Sequence, residues 1–306
     1  MNRRAADACV AGDVIGQAVR PRPAILPAMH LRIATCRPLP EPDDDQAPLL
    51  RALAAAGVEA EMCDWRSGPP WRRPRPTVVR STWDYIHHLD AFRAWVSRAG
   101  ADAALWNPPD VILDNLHKGY LLALAGRGVP VVPTALLDRG RAASLGRLCA
   151  DRGWGEVVIK PAVGAGSFET RRFAAEDPRA QAACDRLVAD RDLLVQPYLA
   201  AVEGHGERAL VWIDGEFTHA VRKSPRFAGD EECVSAAVPI AAAEREVGEA
   251  ALAPFRDRLL YARVDVAPGP DGGPVVMELE LVEPSLFLLQ CPAALARLVA
   301  AIRRRL

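Results

Sequence analysis

Apolar positions recur along this chain with two different periods, and the switches between them predict its elements. From His30, an apolar run over 31–36 reads as a strand, and an acidic loop with Asp43, Asp44 and Asp45 follows it. Leu50, Leu53, Ala54 and Gly57 then fall on one face of a helix. Residues 58–63 and 77–80 read as further strands and 89–99 as another helix. Strands alternating with helices predict a parallel α/β lobe over 29–112. Asp114 reads as the N-cap of a helix that carries Lys118, Leu121, Leu122 and Ala125 and stops at Gly126 and Gly128. A second lobe, over 113–195, has helices at 142–152 and 178–189 and strands at 156–160, 168–173 and 193–196. A third, over 196–306, is mainly strands (208–213, 216–222, 263–266 and 275–282), closed by a helix from about Pro292. The fold class is therefore α/β passing into α+β.

The pattern is different over residues 1–28. The apolar stretch from Val10 to Ile15 is broken by Gly12 and Asp13, too short for a signal-peptide core of about 7–15 residues. A proline-rich run from Pro21 to Pro27 leads to Met29, which predicts a disordered leader or a start at Met29. No run of about 18 apolar residues reads as a membrane span.

Composition narrows the field. Among 306 residues half are apolar, a quarter are charged and the net charge is -1, the profile of a soluble globular protein. It gives no electrostatic argument for a nucleic-acid or membrane partner. Seven cysteines, at 9, 36, 63, 149, 184, 233 and 291, form no close pair and suggest neither a disulfide framework nor zinc; they read as reduced thiols of a cytoplasmic protein. Lys and Arg total 38, yet lysine occurs only at 118, 160 and 223. Because the two side chains are not interchangeable, these lysines mark places that need a compact ammonium on a flexible stem.

Two segments carry candidate chemistry. In Lys160-Pro161-Ala162-Val163-Gly164-Ala165-Gly166-Ser167 a strand delivers a lysine, and the glycines after it let backbone N–H groups approach an anion. It is neither a Walker A loop nor a dinucleotide fingerprint, and a plain glycine hairpin would look the same. In the strand over 275–282, Glu278 and Glu280 share one face while Met277, Leu279 and Leu281 share the other. Arg263 and Asp265 also share a face. A hairpin turning at Asp271-Gly272 sets Asp265 opposite Glu278 and Arg263 opposite Glu280. Three clustered carboxylates suit Mg²⁺, which takes oxygen ligands and bridges carboxylates to phosphates; a solvated strand face balanced by Arg263 is the alternative.

These residues resemble the ATP-grasp family. The Lys160–Ser167 run is similar to the lysine and glycine-rich lid of glutathione synthetase and D-alanine–D-alanine ligase. Arg263-Val264-Asp265 with Glu278-Leu279-Glu280 resembles their Arg-x-Asp and Glu-x-Asn elements, with Glu280 in place of the usual Asn. The resemblance implies ATP clamped between two α+β lobes behind the parallel lobe. Lys118 and Lys160 would touch the α- and β-phosphates, and Gly164, Gly166 and Ser167 would form the lid. Gln196, Tyr198 and Leu199 would form the adenine hinge and Glu203 would hold the ribose. Arg222 and Lys223 would reach the γ-phosphate, and Asp265, Glu278 and Glu280 would hold Mg²⁺ or Mn²⁺.

Arg80-Ser81-Thr82-Trp83-Asp84-Tyr85, the run from Asn115 to Leu122 and the run from Glu280 to Phe287 together resemble the subgroup that includes the cyclo-ligase closing the D-cycloserine ring from O-ureido-serine. Arg80 and Asp84, just past a strand end, are expected with Ser285 to grip an amino-acid-like substrate, unless Ser81, Thr82 or Asp84 simply caps a helix. No histidine is assigned chemistry. The reaction implied is carboxylate activation by ATP to an acyl phosphate, then attack by nitrogen, with Arg263 on the oxyanion and the loop 164–167 closing against water. A phosphotransferase and a nucleotide-binding module without turnover are the rival readings. Neither the acid activated nor a homodimeric state is decided by the sequence.

Overall fold

A computed structural model describes residues 29–224 and 233–306; the leader expected over 1–28 lies outside the described residues. The first sheet is parallel, in the order β2-β1-β3-β4, from β1 (Met29–Thr35), β2 (Val58–Asp64), β3 (Thr77–Val79) and β4 (Leu105–Trp106). Crossover helices α1 (Gln46–Ala55) and α2 (Leu89–Asp102) join its strands. β1, flanked on both sides, is buried from Leu31 to Thr35, as an inner strand of a parallel sheet should be. Helices α3 (Pro109–Asn115) and α4 (Tyr120–Gly126) lead onward.

The second sheet is antiparallel, β5-β8-β6-β7, from β5 (Ala135–Leu137), β6 (Glu156–Pro161), β7 (Arg171–Ala174) and β8 (Leu193–Pro197). Its helices are α5 (Leu145–Arg152) and α6 (Pro178–Val188). Ser144 and Asp177 cap them by accepting from the N–H groups of Arg147 and Arg179, and α5 ends on Gly153 at φ 67°. After α7 (Ala201–His205) comes the third sheet, β10-β9-β11-β12, also antiparallel. It is built from β9 (Glu207–Ile213), β10 (Glu216–Lys223), β11 (Tyr261–Pro268) and β12 (Pro274–Glu280), with α8 (Ala242–Leu252) and α9 (Pro292–Arg305).

The first and third sheets share one core. Leu31, Ile33 and Val78 pack in the same cluster as Val211, Tyr261, Leu286 and Leu298. Asn107, fully buried, seals the joint: its side-chain amide donates to the carbonyls of Tyr261 (2.9 Å) and Leu281 (2.7 Å), and its oxygen accepts from Leu260 N–H at 2.8 Å.

Three expectations change. Lys118 is not in a helix begun by Asp114: Asp114 lies inside α3, and the chain breaks between α3 and α4, where the Lys118 N–H donates to Ala162 O at 2.7 Å. The strand foreseen over 168–173 starts only at Arg171, because Ser167 (φ 58°) and Glu169 (φ 52°) turn the chain with left-handed backbone. Helix α8, rich in Ala and Glu, was not foreseen.

Candidate active site

A cavity of ≈ 660 Å³ opens where the three sheets meet. Asp84 and Tyr85 line it from the first lobe, Lys160 and Gln196 from the second, and Lys223, Arg263, Glu278 and Glu280 from the third. Gly164, Gly166 and Ser167 lie along its wall, and so do Tyr198, Leu199 and Ser285. All three lysines reach it.

Each lysine is held differently. Lys118 leaves the α3–α4 break to donate to Gly164 O and to pair with Glu278 at 2.8 Å. Burial works against its charge, but Glu278, with Glu280 and Glu283 behind it, outweighs burial and raises its pKa. Lys223 pairs with Asp265 (2.7 Å) and Glu207 (2.6 Å), which likewise hold it above its ordinary value despite burial. Lys160 alternates outward from β6 between the fully buried Ile159 and the buried Pro161. No ion pair or hydrogen bond holds its ammonium among the described residues, and burial lowers its pKa. A cation so placed gains most from an incoming anion.

Arg222 is a correction. Adjacent residues of a strand face opposite ways. Lys223 is 8 % exposed and lines the cavity, so Arg222 is exposed on the other side of β10 and does not reach the γ-phosphate position assigned to it.

The hairpin of β11 and β12 has the anticipated register at the site, with Arg263 opposite Glu280 and Asp265 opposite Glu278. A bulge after Asp265 shifts the pairing by one residue toward the turn, where Gly272 adopts φ 78°. The three carboxylates nevertheless do not converge on one metal, and among the described residues no group of three or more His, Cys, Asp or Glu could hold an ion. Asp265 is fully buried and clamped, accepting from Arg263 Nε and Nη2 (2.8 Å each) and from Lys223. Those cations overcome burial and hold its carboxyl well below the usual range. Glu278 and Glu280 remain on one wall of the cavity. Burial, with a push from Glu278 against the pull of Arg263, lifts Glu280 to about 7. Two carboxylates on one cavity wall, each paired with one cation, would fit a Mg²⁺ completed by substrate phosphates; Asp265 is the residue that drops out.

Other assignments also move. Arg80 is 3 % exposed and faces into the protein, where it donates to Pro284 O (2.8 Å) and pairs with Asp45 at 3.4 Å. Asp45 in turn accepts from the Leu286 and Leu288 N–H groups, so Arg80 ties the lobes together and does not grip substrate. Asp84 does line the cavity, held by Trp65 Nε1 (2.6 Å) and Arg66 (3.1 Å). Gln196 donates to Thr134 Oγ1 at 2.9 Å. Glu203 is exposed outside the lining, taken up by Arg172 (2.7 Å) and the Tyr198 hydroxyl (3.0 Å), while the Arg172 guanidinium lies 3.6 Å from the Tyr198 ring centre. Its assignment to the ribose is not supported by this placement.

Sequence reading missed Glu207, Arg66, Tyr85 and Glu283, all on the cavity wall. For Glu207 counting would have misled: a plain hairpin turning at Asp214-Gly215 sets it opposite Arg222, and only the bulge between Phe217 and His219 brings it opposite Lys223. His87 and His88, assigned no chemistry, also line the cavity.

Three sheets around a lysine- and carboxylate-lined cleft define an ATP-grasp ligase. The same fold is found in D-alanine–D-alanine ligase from Bacillus anthracis, which is 14 % identical with a TM-score of 0.65 over 90 % of this chain and 97 % of that one. The ATP-grasp ligase PsnB complexed with a minimal precursor is 21 % identical, with a TM-score of 0.64 over 92 % and 100 %. Residues 31–107 match the family model for the N-terminal domain of D-cycloserine synthetase DcsG. The cycloserine biosynthesis protein DcsG of Streptomyces lavendulae is 33 % identical over 86 % of this chain and 94 % of that protein. The crystal structure of D-cycloserine synthetase DcsG superposes with a TM-score of 0.81 over 90 % and 99 %. The chain belongs to the DcsG family and is an ATP-dependent ligase of the C–N-forming kind. Of the described helices, none is long and apolar enough to cross a membrane.

Proposed function

We propose that this ligase activates the carboxylate of a small amino-acid-like substrate and closes it onto a nitrogen of the same molecule with release of phosphate, as when the oxygen-bound nitrogen of O-ureido-serine closes the ring and its carbamoyl group is then removed by water. The observation that carries the reading is the Lys160 ammonium, half-buried on a cavity wall without a partner among the described residues, where the phosphates of ATP would satisfy it. Lys118 and Lys223 flank it, and Gly164–Ser167 supplies backbone N–H groups at the rim. Mg²⁺, held by Glu278 and Glu280, would neutralise charge on the phosphates. Arg263 orients the acceptor end: Asp265 and the Ser285 carbonyl fix its guanidinium on the cavity wall beside Glu280. There it can steady the oxyanion formed when nitrogen adds to the activated carbonyl. The loop 164–167 excludes water from the acyl phosphate.

Hydroxylamine trapping tests the scheme. With ATP, Mg²⁺ and O-ureido-serine, the wild type is expected to form a hydroxamate and release ADP, and Lys160→Ala is expected to do neither. A stable phosphorylated product without hydroxamate would mean a phosphotransferase.

A further inference from the structure

The charges on the cavity wall almost balance. Arg66 pairs with Asp84, Lys118 with Glu278, Lys223 with Glu207 and Arg263 with Glu280, and Glu41 also has a partner. Among the described lysines, arginines, aspartates and glutamates on that wall two are left over, Lys160 and Glu283. Glu283 is 8 % exposed, and neither an ion pair nor a hydrogen bond reaches its carboxyl group. Its backbone cannot shift to find one: Trp83 Nε1 donates to Glu283 O (3.1 Å), Arg80 holds the next carbonyl at Pro284, and Asp45 holds the N–H groups of Leu286 and Leu288. Tyr85, 4 % exposed and contributed by the first lobe, lines the same cavity, and its hydroxyl makes no hydrogen bond among the described residues. Burial, reinforced by the charge on Glu280, raises the Glu283 carboxyl to about 8. Most buried polar groups in folded proteins are satisfied, and one left unsatisfied on a cavity wall calls for a partner.

The unmatched cation is accounted for by the phosphates of ATP. The unmatched carboxyl group calls for a cation, and the ammonium group of an amino-acid substrate supplies one. We infer that Glu283, assisted by the Tyr85 hydroxyl, binds the ammonium group of the substrate, so that the enzyme selects zwitterionic α-amino acids over plain carboxylic acids. This rests on the reading of a small carboxylate substrate given above. Glu283 is here a specificity-determining residue.

The test is steady-state ADP release by wild type and Glu283→Gln with O-ureido-serine and with its des-amino counterpart, 3-(ureidooxy)propanoate. Loss of a buried charge partner is expected to raise the KM for O-ureido-serine at least about 30-fold, with kcat reduced far less. The KM for ATP should stay within about twofold, the range of a residue making no nucleotide contact. The preference of the wild type for the amino form should collapse in the variant. Tyr85→Phe, which keeps the ring, should raise the same KM by several-fold and leave the des-amino acid unaffected. An unchanged preference in Glu283→Gln, or a loss confined to kcat, overturns the inference alone. Failure of the wild type to turn over either acid overturns the substrate reading together with it.

Discussion

Glu283 keeps its proton in the folded protein up to about pH 8, whereas a free glutamate releases it near 4.5. Between those values the unfolded chain has lost a proton that the folded chain retains, so this group makes stability fall as pH rises through the window. Glutamine at 283 has no such liability. Without ligands, Glu283→Gln should therefore melt above the wild type by a margin that widens from pH 5 to pH 8 and then levels off. Calorimetry at three pH values checks this; a margin independent of pH would show that the carboxyl is not held neutral. Asp265 has the opposite sign. It is ionised well below the usual range, and its contribution is present at neutral pH and lost only in strong acid. Asp265→Asn should cost about 3 kcal/mol in urea unfolding, the low end for breaking a buried pair, because Glu207 and Glu280 still hold Lys223 and Arg263. The composition made the lysines legible, since only three occur. The burial of Arg80 and Asp265 was not legible, because a residue's position past a strand end or on a polar strand face does not say which neighbours will cover it.

At the scale of elements, what could be read was what repeats. The hairpin of β11 and β12 has a favoured turn pair and strict alternation, so its register at Arg263 and Asp265 followed from counting. The bulge did not, since an extra residue leaves the apolar pattern intact on one side of it. The same alternation, applied to β10, separates Arg222 from Lys223. Arg222→Ala is accordingly expected to keep kcat/KM within about twofold, as exposed substitutions usually do, whereas Lys223→Met should lose both activity and stability. A large loss in Arg222→Ala would place the guanidinium in the cavity after all. The break between α3 and α4 escaped because apolar positions on either side keep one helical phase, while the Lys118 backbone leaves that phase to bond Ala162.

At the scale of the whole molecule, the alternation of strands and helices announced a parallel lobe followed by strand-rich lobes, and the three sheets follow that order in sequence. Arg263 against Glu280 could be read from their hairpin, but Lys118 against Glu278 could not, because that pair joins elements far apart in the chain. The way the cores are shared sets the dynamics. The first and third sheets pack into a common cluster, whereas Val157, Ile159, Cys184, Leu187 and Val195 form a core of the second sheet with its own helices. A unit with its own core can open without the rest. Amide exchange in the ligand-free protein should therefore show β6 and β8 opening at lower free energy than β9 and β11. A nucleotide bridging Lys160 of the second sheet to Lys223 of the third should close that gap. At a hundredfold excess over Kd, Mg²⁺ with a non-hydrolysable ATP analogue adds about 2.7 kcal/mol, and the added protection should concentrate in β6 and β8. Lys160→Ala should abolish the increment while leaving the ligand-free pattern unchanged. Equal protection of β6 and β11 before nucleotide is added would show that the three sheets open as a single unit.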